Sequence, residues 1–210
     1  MEIGSLDLQD DHYWRMADIC FRHLAGAYEN YQKTLPHLWI RKVKNDDPKF
    51  GRPEYMASRS CLGGDESEEY TQSLAAIVFC HVWVISTANY YRLSVKQGKI
   101  TAEEMGGRAE ITAVHSLERI AGELSLPKGV IATAADVKNA RDTILHLVTD
   151  DKKTFPINEI GFPKAYEFVH WGWKIYIALL EYYGRVPDEG SWAIQTSRYN
   201  LPNEFPQLRK

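Results

Sequence analysis

Apolar residues recur at three- and four-residue steps along most of this chain, and no stretch alternates with the period of two that a half-buried strand needs. Tyr13, Met16, Cys20, Leu24, Ala27 and Tyr31 form one stripe, which predicts a first helix from roughly Asp10 to Lys33. A second runs from roughly Glu66 to Gln97, opened by the capping pattern Asp65-x-x-Glu68 and apolar on nearly every side in its middle, as a central bundle helix is. The third begins at Thr101-x-x-Glu104, breaks at Gly106-Gly107, resumes with Ile111, Val114, Leu117, Ala121 and Leu124, and ends at Pro127 and Gly129. The fourth spans roughly Thr133 to Thr149, with Val137, Ala140, Ile144, Leu147 and Val148 as its apolar stripe. In the fifth, Pro163 suits the first turn, Tyr166, Val169, Trp173, Tyr176, Leu180 and Tyr183 form a packing seam, and Gly184 and Pro187 stop it.

Two stretches resist a helical reading. From Pro36 to Gly64 three prolines and a Gly-Gly pair accompany six cations and three anions, a local excess of +3 in a chain whose net charge is −3. The tail after Gly184 holds Pro187, Pro202 and Pro206, yet its aromatics Trp192, Tyr199 and Phe205 predict that it packs onto the body. The expected architecture is therefore all-α: one domain over residues 1–210, a bundle of about five helices, an irregular basic loop after the first, and residues 185–210 as an irregular packed tail.

Composition narrows the chemistry. Apolar residues make up 44% and charged residues 25% of 210, an ordinary balance for a soluble protein, and the slightly negative net charge excludes a global field for nucleic acid. Cys20, Cys61 and Cys80 are odd in number and widely spaced, which predicts neither a disulfide framework nor a zinc site. With an acidic N-terminus and polar residues inside the most apolar run, Leu74 to Tyr91, the expectation is a cytoplasmic protein with no membrane span.

The chemistry concentrates in Arg141-Asp142-Thr143-Ile144-Leu145-His146, on the fourth predicted helix. An imidazole moves protons near neutral pH, and a guanidinium offers a planar fork to phosphate. Residues four apart lie about 40° apart on a helix, so Asp142 can reach His146, whereas Arg141 lies about 140° from it. His146 projects nearly opposite the apolar stripe, so it becomes a site only if a loop, the tail or a second subunit covers it.

Arg141-Asp142-x-x-x-His146 on the fourth helix of an all-helical chain resembles the HEPN superfamily (higher eukaryotes and prokaryotes nucleotide-binding), whose signature is Arg, four to six spacers, then His, with Asn, Asp or His often after the Arg. The resemblance implies a homodimer whose two motifs share a cleft, and a metal-independent endoribonuclease or RNA-binding protein, of the kind found in toxin–antitoxin or phage-defence systems. It implies RNA and an antitoxin or other protein as partners, and no cofactor. In that setting His146 is the general acid or base, Arg141 stabilises phosphoryl charge, Asp142 orients the imidazole, and Lys138, Lys152 and Lys153 hold phosphates. Arg41, Lys42 and Lys44, beside Trp39 and Tyr55, add a second expected RNA contact.

Two other readings stand beside this one. Arg141, Asp142 and His146 also suit a solvated helix face of a non-catalytic interaction module. Glu167-x-x-His170 has the spacing of a bundle metal site, but the chain holds no second copy on another helix. His81, in the apolar middle of the second helix, is expected to be a satisfied buried histidine.

Overall fold

The computed structural model describes residues 11–45, 65–112, 114–146, 160–185 and 191–204; within these, the side chains of 11, 12, 35–45, 65–67 and 146 lie outside the description. Six helices account for most of it: α1 Asp11–Asn45, α2 Asp65–Lys96, α3 Leu117–Glu123, α4 Lys128–His146, α5 Phe162–Tyr182 and α6 Trp192–Arg198. No strand occurs among the described residues, and the chain is an all-α helical bundle.

The core is the three-helix unit of α1, α2 and α5. Tyr13 lies against Tyr90 and Tyr91 at one end of α1, and His23 meets Gln72 further along, so α1 and α2 run antiparallel. Glu69 meets Phe162, Trp83 meets Tyr176 and Tyr91 stacks on Tyr183, so α5 runs parallel to α2. The window Glu68–Lys96 is long and apolar enough to cross a membrane. Its residues Ala76, Ile77, Cys80, Trp83, Val84, Ala88 and Tyr91 are nevertheless buried against the other helices, which is the position of a central core helix. Every residue of the predicted α5 seam is buried, as are Cys20 and Cys80. Cys61 lies outside the described residues.

Four boundaries differ from expectation. α1 continues through Pro36 to Asn45, so the first part of the basic segment is helical. A proline removes one helical hydrogen bond, here to the Gln32 carbonyl, and the ladder can resume on either side. The capping box at Thr101 forms, with Thr101 N donating to Glu104 Oε2 at 2.7 Å and Glu104 N donating to Thr101 Oγ1 at 3.2 Å. It nevertheless caps a single turn, because Gly106 and Gly107 at φ +63° and +73° end it at once. Ile111 and Val114 are buried from non-helical chain, Val114 in a turn, and the helix expected to resume there begins only at Leu117. Pro127 and Gly129 start α4 rather than ending α3, since the Pro127 carbonyl accepts from the amides of Val130 and Ile131.

The described part of the tail packs on the body, and within it Trp192–Arg198 form α6 where irregular chain was expected. Trp192 Nε1 donates to Tyr166 Oη at 2.9 Å, that hydroxyl donates to the Pro202 carbonyl at 2.6 Å, and Tyr199 Oη donates to Asp18 Oδ1 at 2.8 Å. Phe205 lies outside the described residues.

α2 and α5 pack tightly at Gly172, where an added Cβ would stand 2.3 Å from Cys80 Sγ. Gly172→Ala is therefore expected to destabilise the fold by about 1–3 kcal/mol through overpacking. On a Cys80→Ala background the same change should cost clearly less, because the sulfur it strikes is gone. Urea unfolding midpoints of the four proteins measure both terms.

Candidate functional site on the fourth helix

Of the predicted site residues, the structure brings together Lys138, Arg141 and Asp142. On α4 these three and Leu145 fall within about 100° of one another around the axis, a single face. Lys138 Nζ pairs with Asp142 Oδ2 at 2.8 Å, one helical turn on, and Arg141 Nη1 pairs with Asp142 Oδ1 at 2.9 Å. The two carboxylate oxygens are thus divided between two cations. Partial burial pushes the Asp142 carboxyl up, but the Lys138 hydrogen bond and the charges of Arg141 and Lys138 outweigh this and hold it below its usual value.

The fourth member is His81 of α2. Its Nε2 stands 3.3 Å from Arg141 Nη2, across 60 residues of sequence. A guanidinium can only donate, so Nε2 must accept and the imidazole must be neutral, with its proton on Nδ1. Electrostatics agree: burial, then the Arg141 charge, push the His81 pKa down to about 4, against a smaller opposing effect of Asp142. His81 is buried, as its apolar surroundings predict, but it also anchors the arginine.

Arg141 is consequently held on two sides with its side chain 20% exposed, enough to meet a ligand at the α4 surface. Its Nε is buried and finds no hydrogen-bond partner among the described residues. Counting Lys138 and Arg141 against Asp142, the cluster carries one net positive charge at neutral pH. Leu145, 54% exposed, puts an apolar side chain beside it.

The remaining predicted residues separate into two groups. His146 is the last residue of α4, and its side chain lies outside the description, as do those of Arg41, Lys42 and Lys44 on α1. Lys152 and Lys153 lie outside the described residues altogether. Asp142 was expected to serve His146; its described partners are Lys138 and Arg141. At the Glu-x-x-His on α5, Glu167 pairs with Lys164 at 2.8 Å and the His170 ring lies 4.7 Å from Trp192. No group of three potential metal ligands stands together among the described residues.

The His81 contact makes stability depend on pH in a defined window. An unfolded histidine takes up its proton near pH 6.5, whereas folded His81 stays neutral down to about pH 4. Between these values the unfolded state binds more protons, so this group's contribution to stability falls as pH falls. His81→Gln keeps an acceptor for Arg141 but does not titrate. Between pH 7 and pH 5 the wild type is expected to lose about 2 kcal/mol more stability than this variant, measured by urea unfolding at each pH.

No family model, curated protein or solved structure matches the chain.

Proposed function

We propose that this chain is a HEPN-like RNA-binding protein or metal-independent endoribonuclease, acting as a homodimer through the polar face of α4. The observation that carries this reading is Arg141, a partly exposed guanidinium oriented by Asp142 and His81, with Lys138 adjacent, five residues before His146 on a helical bundle. A cation fixed before substrate arrives suits a reaction in which negative charge builds on phosphoryl oxygens.

RNA carries its own nucleophile, the 2′-hydroxyl, so the protein need supply only proton transfer and charge stabilisation. His146 takes the proton from the 2′-oxygen or gives one to the leaving 5′-oxygen. Arg141 holds the phosphoryl oxygens. Asp142, shared between Lys138 and Arg141, orients the guanidinium. Lys138, with Lys152 and Lys153 beyond α4, draws in the phosphate backbone. A second copy of α4 would cover exposed Leu145 and close the cleft, and a toxin–antitoxin or defence setting with a protein antitoxin fits such an activity.

A second reading is favoured by Leu145 itself. An exposed leucine beside a charge cluster already neutralised in part by Asp142 also suits a non-catalytic protein-docking face.

Incubation with single-stranded RNA in EDTA is expected to yield fragments ending in 2′,3′-cyclic phosphate. His146→Ala should slow cleavage by about 10²-fold or more, and Arg141→Ala by a similar factor. Cleavage that persists undiminished in His146→Ala removes that residue from the mechanism. Wild-type protein that neither cleaves nor binds RNA at low salt would leave the docking reading.

A further inference from the structure

From Tyr70 to Tyr91, about six helical turns, α2 holds no Asp, Glu, Lys or Arg. A helix without a charged face is expected to be buried on every side, yet only half of the most apolar window of α2 is buried by the other helices. Thr71, Ala75, Val78, Val82, Ile85 and Asn89 run down the outward half in steps of 4-3-4-3-4, the spacing of a seam that receives another helix. Val82, near its middle, is 36% exposed.

Two walls flank this seam. Around α2, Phe79 lies about 60° to one side of Val82 and His81 about 100° to the other. On the first side α1 is held by a relay. Gln72 Nε2 donates to Glu68 Oε1 at 2.6 Å, which leaves the Gln72 amide oxygen to accept from His23 Nδ1, also at 2.6 Å. The His23 ring then stacks on Phe79 at 5.5 Å. Ile19, one turn before His23, is half-buried on the same flank. Arg15, Arg22 and Lys33 fall within about 60° of Ile19 around α1, and all three are exposed. No carboxylate with a described side chain shares that arc; Asp18, which pairs with Arg22 at 2.7 Å, lies about 100° from Ile19. On the second side Arg141 of α4 meets His81, with Lys138 beside it and Asp142 between them. Both walls carry more cation than anion.

Charge selects what the seam receives. A second copy of α2 would set cationic walls against cationic walls, with no substrate phosphate between them. RNA would find its phosphates matched, but the floor is aliphatic and the Phe79 ring is covered by His23, so the bases gain nothing to stack on. A helix with an apolar stripe and acidic residues along both of its edges matches floor and walls together.

We propose that the outward face of α2 docks an acidic amphipathic helix of a partner protein. Its apolar stripe lies on Ala75, Val78 and Val82, and its flanking carboxylates meet the cations of α1 and α4. The docking does not rest on the RNA reading, because its floor is on α2 and its α1 wall takes no part in cleavage.

Fluorescence anisotropy on the full chain tests this with a labelled three-heptad peptide, leucine at a and d and glutamate at e and g. It should bind with a Kd on the order of 10 µM, and the same peptide with lysine at e and g about tenfold or more weakly. Val82→Asp should weaken binding by about tenfold or more; the side chain is exposed, and circular dichroism checks that the variant folds. Arg15→Glu combined with Arg22→Glu should weaken the glutamate peptide and strengthen the lysine peptide. Absence of binding at about 1 mM peptide, equal affinity for the two peptides, or full affinity in Val82→Asp would overturn the inference. So would a wild-type dimer that Val82→Asp dissociates in sedimentation, which would give the face to a second copy. Binding of single-stranded RNA or of phosphatidylserine vesicles that Val82→Asp abolishes would overturn it equally. Peptide binding by a protein that neither cleaves nor binds RNA would remove the α4 reading and leave this one standing.

Discussion

The arrangement of this bundle depends on how closely α2 and α5 can cross. Gly172 lets Cys80 seat where any larger side chain would collide, and that contact sets the register of two long parallel helices. Glu69 then reaches the amide of Phe162 at 2.9 Å, at the end of α5 where Gly161 has no side chain with which to cap. A carboxylate at a helix N-terminus satisfies an orphan donor and opposes the macrodipole. Eleven residues beyond the crossing on each helix, the same register stacks Tyr91 on Tyr183 and brings the two helix ends together. Between these points Trp83, Trp173 and Tyr176 form the aromatic centre, with Phe21 of α1 joining both tryptophans.

The register also places chemistry. His81 directly follows Cys80, so while the thiol turns toward α5 the imidazole reaches α4 and Arg141. A neutral imidazole is the acceptor on one side of the guanidinium and a carboxylate is the acceptor on the other. The same residue therefore serves packing and orientation, and its burial keeps it neutral enough to do both. At the far end, α2 and α5 both finish in Schellman closures at left-handed glycines, Gly98 and Gly184. Arg108 reinforces that end, donating to the carbonyls of Glu181 and Tyr182 at 3.1 Å each, the first of which also accepts from the Gly184 amide.

Periodicity was most legible where a helix has one wet face. The α5 seam and its Pro163 start and Gly184 stop were readable because the apolar stripe and its terminators are local signals. Thr101-x-x-Glu104 misled because a capping box promises a start and says nothing of length, and two left-handed glycines end the turn. Ile111 and Val114 fitted a helical stripe yet are buried from non-helical chain, since burial alone does not specify the backbone that achieves it. Pro36 read as a terminator, but α1 passes through it.

From sequence alone came the all-helical class, the core stripes of α1 and α5, the central place of α2, the tail's attachment by Trp192 and Tyr199, and Lys138, Arg141 and Asp142 as candidates on α4. These rest on spacing within a helix, and spacing is a property of the chain itself. Tertiary structure decided that His81 is the partner of Arg141, that Glu69 caps α5, and that His23 of α1 and Arg141 of α4 stand on either side of the outward face of α2. Each of those joins residues far apart in sequence through the crossing of separate helices, and the approach that Gly172 permits has no periodic signature to read.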